Sequence, residues 1–139
     1  MSQSSLLVMS KFEHKPMIID EDHLGRMTLG DRSLEREVLQ IFARQTTLML
    51  ERISVAKPAC AAAAAHTLKG SARGIGAWRV AQAAERLEQA VARGDARAMS
   101  AAMAELEAAS AEVRAAIGTR LRDPMDAQAD AFDGALREH

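Results

Sequence analysis

Apolar residues recur along most of this chain at the three-to-four spacing of buried helix faces, and no segment shows a strand pattern that competes. The strongest period in the first half runs through Leu34, Val38, Ile41, Phe42, Leu48, Met49 and Ile53 and predicts a helix from about Arg32 to Ala56 with those residues inward. Asp31 offers an oxygen to cap its start. Lys57-Pro58 ends it, because proline disfavours helical geometry in the residue before it and suits the first turn of a new helix. The next helix is predicted from Pro58 to about Arg73, stopping in Gly74-Ile75-Gly76, where a glycine can take the left-handed conformation that closes a helix. Another follows from about Ala77 to Arg93 with Val80, Ala84, Leu87 and Val91 inward. Gly94-Asp95 is a closing glycine followed by a capping aspartate, and a last helix over about Ala96 to Ile117 should bury Ala102, Leu106, Ala109, Val113 and Ile117.

In front of these, Ile19 to Leu29 suits a short helix with Leu24 and Met27 inward and Gly30 as its cap. Long helices joined by connections of a few residues lie antiparallel to their neighbours. The expected fold is therefore all-α, an antiparallel up-down-up-down four-helix bundle with a short additional N-terminal helix. The division is a flexible leader over 1–17, the bundle over 18–118, and a charged tail over 119–139, a short helix or disordered.

Composition narrows the function. At 139 residues the chain is about one domain long, and alanine-rich stretches after Lys57 favour helices that approach closely. Eighteen lysines and arginines against nineteen aspartates and glutamates leave no broad field to attract nucleic acid or an acidic membrane. A single cysteine, Cys60, excludes an internal disulfide and reads as a small packing residue, and four scattered histidines form no zinc framework. Leu6-Leu7-Val8-Met9 is too short for a signal-peptide core, and no stretch approaches a membrane span, so a cytoplasmic protein is expected. Met27, Met49, Met99 and Met103 read as core filler.

The candidate chemistry lies on the helix after Pro58. His66, Lys69, Gly70 and Arg73 share one stripe, while Ala61, Ala65, Leu68, Ala72 and Ile75 form an apolar one, so the histidine faces away from the core. Neutral imidazole is a nucleophile near pH 7. Phosphoryl transfer needs mainly positioning and compensation of negative charge, part of which Lys69 can supply from one turn away. Gly70 clears the space beside the imidazole for a partner, and Arg73 is placed to grip one.

The run His66-Thr67-Leu68-Lys69-Gly70-Ser71-Ala72 with Ile75-Gly76 closely resembles the signature of histidine phosphotransfer (HPt) domains of bacterial multistep phosphorelays, and the resemblance extends over roughly residues 18 to 117. It implies that His66 accepts phosphate on Nε2 from a receiver-domain aspartyl phosphate and passes it to another receiver. By position in the motif, Glu88 would hold Nδ1–H, Ser71 would let helices approach, and Thr67, Gly70 and Arg73 would meet the partner. Trp78 is unusual at its position.

The resemblance further implies response regulator receivers and hybrid sensor histidine kinases as partners, no cofactor of the chain's own, Mg²⁺ in the receiver, and a carrier rather than an enzyme. No Gly-rich phosphate loop or kinase signature contradicts this. A bundle that closes its own core needs no second subunit, so a monomer is expected. The alternative is a helical adaptor that binds receivers without taking phosphate, against which an intact His66 and Lys69 weigh.

Overall fold

Three aspartates start three of the helices. Asp20 accepts from the His23 N–H, Asp31 from Leu34 and Asp95 from Ala98, each satisfying one of the donors a helix start leaves free. The computed structural model describes residues 18–122, so the expected leader and the part of the tail from 123 onward lie outside the described residues. The helices are α1 (Glu21–Met27), α2 (Arg32–Val55), α3 (Pro58–Ile75), α4 (Trp78–Arg93) and α5 (Ala96–Leu121), with no strand among the described residues.

Several boundaries differ from expectation. α3 runs through Gly74 and closes at Gly76, whose φ of +80° is the left-handed cap. The short α1 is closed by Thr28, with Leu29 and Gly30 both at positive φ. α5 passes through Gly118 to Leu121, where the Arg36 guanidinium of α2 donates to the Leu121 carbonyl at 3.0 Å and satisfies an acceptor left free at the helix end.

α2 packs on α3, α3 on α4, α4 on α5 and α5 back on α2, while α1 lies against α3. Ion pairs Arg79–Glu112 and Arg86–Glu105 cross from α4 to α5, and Lys69–Glu88 and Arg73–Glu85 from α3 to α4, residue numbers rising on one helix as they fall on the next. Leu24, Leu39, Leu68, Val80, Leu106, Val113 and Ile117 fill the core, with buried alanines at 61, 65, 72, 81, 83 and 84 between them.

The buried face of α2 is not the one its apolar period suggested. Leu34, Ile41 and Leu48 are exposed, and Glu35, Arg36, Leu39 and Thr46 are buried with Phe42 and Ile53. The polar members are tolerated because each is bonded: Glu35 receives Arg120 of α5 at 2.7 Å, and the Thr46 hydroxyl donates to the Phe42 carbonyl at 2.7 Å. Met27 is likewise exposed rather than inward, and so is Cys60 at the open start of α3. Met49, Met99 and Met103 do pack against the core.

Gly76 joins the N-terminal segment to the end of α3. Its carbonyl accepts the Asp20 N–H at 2.9 Å, and a Cβ built on it would lie 2.8 Å from the Asp20 Cβ. Gly76→Ala should therefore lose more than the roughly 1–2 kcal/mol that left-handed backbone costs a residue with a Cβ, because Asp20 must also move. Gly94→Ala, at a φ of +64° but with open space around it, should lose only the backbone part. Urea unfolding of the two variants checks the order; equal losses would contradict the close approach.

Candidate functional site

Ala65 is fully buried on α3, and the next residue stands about 100° further round the helix, which turns His66 outward. Its side chain is 69% exposed. α4 packs on α3 with small residues on both, Ala65 and Ala72 facing inward on one and Ala81 and Ala84 on the other, so the backbones lie close enough for a glutamate to cross. Glu88 of α4 does so: its Oε2 lies 3.0 Å from His66 Nδ1 and its Oε1 lies 2.9 Å from Lys69 Nζ. One carboxylate thus ties together the histidine and the lysine that share the α3 stripe.

The electrostatics follow from this geometry. Burial pushes the Glu88 carboxyl up, but hydrogen bonds from Lys69 and His66 and the positive charge of Lys69 outweigh it and hold Glu88 below its usual range. At neutral pH it is ionised and can only accept, so the bonded Nδ1 carries the proton. The Nε2 lone pair is then left facing solvent on the exposed edge.

The remaining expected residues have different settings. Lys69 is only 13% exposed and its ammonium lies on Glu88, so its charge reaches His66 through the carboxylate rather than from open solvent. The Thr67 hydroxyl turns back to donate to the Ala63 carbonyl at 3.3 Å, and Arg73, half-exposed, stands 3.8 Å from Glu85. Gly70 lies in open space, as does Gly74 one turn further on. Among the described residues nothing requires a glycine at either position, although each costs the helix about 1 kcal/mol relative to alanine. Gly74, read as a helix stop, is a second clearance on the same lane; its spacing of four from Gly70 was the available signal.

Trp78 packs on the N-terminal segment. Its indole N–H donates to Asp20 Oδ2 at 3.0 Å, holding that carboxyl below its usual range, and its ring lies 4.9 Å from His23. Beside α3, an apolar groove of about 310 Å³ opens between α1 and α2, lined by Leu24, Met27, Leu34, Val38, Ile41 and Phe42 and reaching Ser71, Gly74 and Ile75. Among the described residues, no group of three His, Cys, Asp or Glu side chains could hold a metal ion, and no helix is long and apolar enough to cross a membrane.

Comparison with known proteins agrees with this architecture. The Hpt domain family matches residues 37–116, more than half of the chain, and the chain belongs to that family. Its role is accordingly phosphotransfer in a phosphorelay. A solved structure of a candidate histidine-containing phosphotransfer protein from rice has the same fold, with a TM-score of 0.70 and 20% identity, covering 92% of this chain and 94% of the rice chain. No curated protein matches the sequence significantly.

Two outcomes test the geometry. Imidazole ¹⁵N shifts recorded for the neutral ring should show His66 protonated on Nδ1 in the native chain, and Glu88→Ala should return it toward the Nε2–H form usual for free histidine; an unchanged tautomer would remove Glu88 from the account. Because folding lowers the Glu88 pKa, its contribution to stability is present above its ordinary value of 4.5 and disappears as pH falls through the lower folded value. The gap in urea midpoint between the native chain and Glu88→Gln should close on acidification over that range.

Proposed function

We propose that this chain is a phosphocarrier that takes a phosphoryl group on His66 Nε2 from a receiver-domain aspartyl phosphate and hands it to a second receiver. The observation that carries this reading is an exposed imidazole whose inner nitrogen is bonded to an ionised carboxylate. In the transfer, the Nε2 lone pair attacks phosphorus, the N–P bond forms as the P–O bond to the receiver's aspartyl group breaks, and that carboxylate leaves. The ring gains positive charge as it does so, and Glu88 at 3.0 Å stabilises it while Lys69 holds Glu88 in place.

The reverse step, to a second receiver, uses the same geometry. The chain contributes a positioned nucleophile, and the receiver contributes the aspartate and its Mg²⁺, so this is a carrier and not an autonomous enzyme. The long helices are read as an antiparallel up-down-up-down bundle, which the opposed numbering of the cross-helix ion pairs supports.

The docking face is the lane of His66, Gly70 and Gly74 with Arg73 at its margin and the apolar groove beside it, a hydrophobic centre with a polar rim. The partners are receivers of response regulators and hybrid sensor histidine kinases, met by a cytoplasmic monomer. A bonded His66–Glu88 pair favours the carrier over an adaptor that binds without accepting phosphate.

Incubated with a phosphorylated receiver and Mg²⁺, the chain should acquire an acid-labile, base-stable label, and His66→Gln should abolish it; full labelling of that variant would sink the assignment. Gly70→Gln should slow transfer at least tenfold, a loss of about 1.4 kcal/mol or more in the transition state. Its thermal melting should stay within a few degrees of the native chain, because the added side chain meets open space. Transfer at the native rate would show that no partner approaches there.

A further inference from the structure

We propose that the N-terminal leader seats its apolar run Leu6–Met9 in the groove between α1, α2 and α3, and so competes with the receiver for part of the docking face. The competition rests on the reading of that groove as part of the receiver surface; the seating itself does not.

Among the described residues, nothing fills this apolar groove. Met27, Leu34 and Ile41 are exposed along its walls, and Leu24, Phe42 and Ile75 are buried beneath them. Its lining is mostly apolar, with Thr28, Gln45 and Ser71 as polar members, and the Thr28 hydroxyl already donates to the Leu24 carbonyl at 2.8 Å. Aliphatic side chains therefore suit it better than a charged segment.

The sequence supplies such a segment. Seventeen residues precede Ile18, and within them Leu6-Leu7-Val8-Met9 is four consecutive apolar residues, flanked by Ser4-Ser5 and Ser10-Lys11. The tether is anchored beside the groove, because the Asp20 N–H is bonded to the carbonyl of Gly76, the residue after the groove-lining Ile75. Met9 is nine residues from Ile18, a span of up to about 30 Å when extended. This exceeds the roughly 10 Å length of the seven-residue α1 that separates the anchor from Met27.

Tethering makes weak affinity sufficient. A short linker holds its ligand at an effective concentration in the millimolar range, so a segment of comparable intrinsic affinity occupies the groove for much of the time. A receiver must displace it, and its apparent affinity falls by a factor of about two to ten under these conditions.

The test uses the full chain with a nitroxide on Ser5→Cys in a Cys60→Ser background. Relaxation enhancement should broaden the methyl resonances of Met27, Leu34 and Ile41, and Leu7→Asp with Val8→Asp should remove the broadening and speed labelling by a phosphorylated receiver two- to tenfold at subsaturating concentrations. Absence of broadening overturns the seating. Broadening that also appears when spin-labelled chain is mixed with separate isotope-labelled chain assigns the groove to a second copy and overturns the intramolecular form. Broadening within one chain with an unchanged labelling rate overturns the competition. Broadening with no phosphoryl transfer by any variant leaves the seating standing and removes the carrier function instead.

Discussion

The close approach of α3 to its neighbours is the constraint on which the site depends. α3 touches α1, α2 and α4, and the side chains it buries are mostly methyl groups, at Ala61, Ala65 and Ala72 with Leu68 between. A larger residue at Ala65 would push α4 outward and carry Glu88 away from both His66 and Lys69. The alanine face therefore sets the distance across which a glutamate side chain can reach the imidazole, and its rotation on the helix turns the neighbouring histidine to solvent.

Glu88 is the point where packing becomes chemistry. It is half-sheltered, accepts from His66, pairs with the Lys69 ammonium and stays ionised, so the imidazole is oriented before any partner arrives. Lys69, which sequence spacing alone placed beside a transferred phosphate, acts one step further back by fixing the carboxylate. On the exposed side of α3, two glycines on successive turns keep the surface low, and Arg73 at its margin is loosely paired with Glu85.

Most helix limits were legible because their signals are local. Asp31, Asp95 and Gly94 act through bonds to residues three or four positions away, Pro58 acts through its fixed φ and its constraint on Lys57, and the helices begin and end beside them. The inward face of α2 was not legible, since burying Glu35 and Arg36 depends on Arg120 and the Leu121 carbonyl, some eighty-five positions along the chain. The exposed Leu34, Ile41 and Leu48 carry the same apolar signature as core residues, and a periodicity cannot tell a buried face from one that lines a surface groove, as Leu34 and Ile41 do. His66 and Glu88 stood out together only through the family resemblance; twenty-two residues apart, on different helices, they share no local pattern.

Trp78 has a further consequence. The chain contains one tryptophan and no tyrosine, so its near-ultraviolet emission arises essentially from a single indole. That indole is bonded to Asp20 and lies against His23, at the place where the N-terminal segment joins the end of α3. The protein thus carries an intrinsic optical reporter at this junction: a change in how the segment before α1 is held alters the indole's environment and can be followed in unmodified protein, in real time.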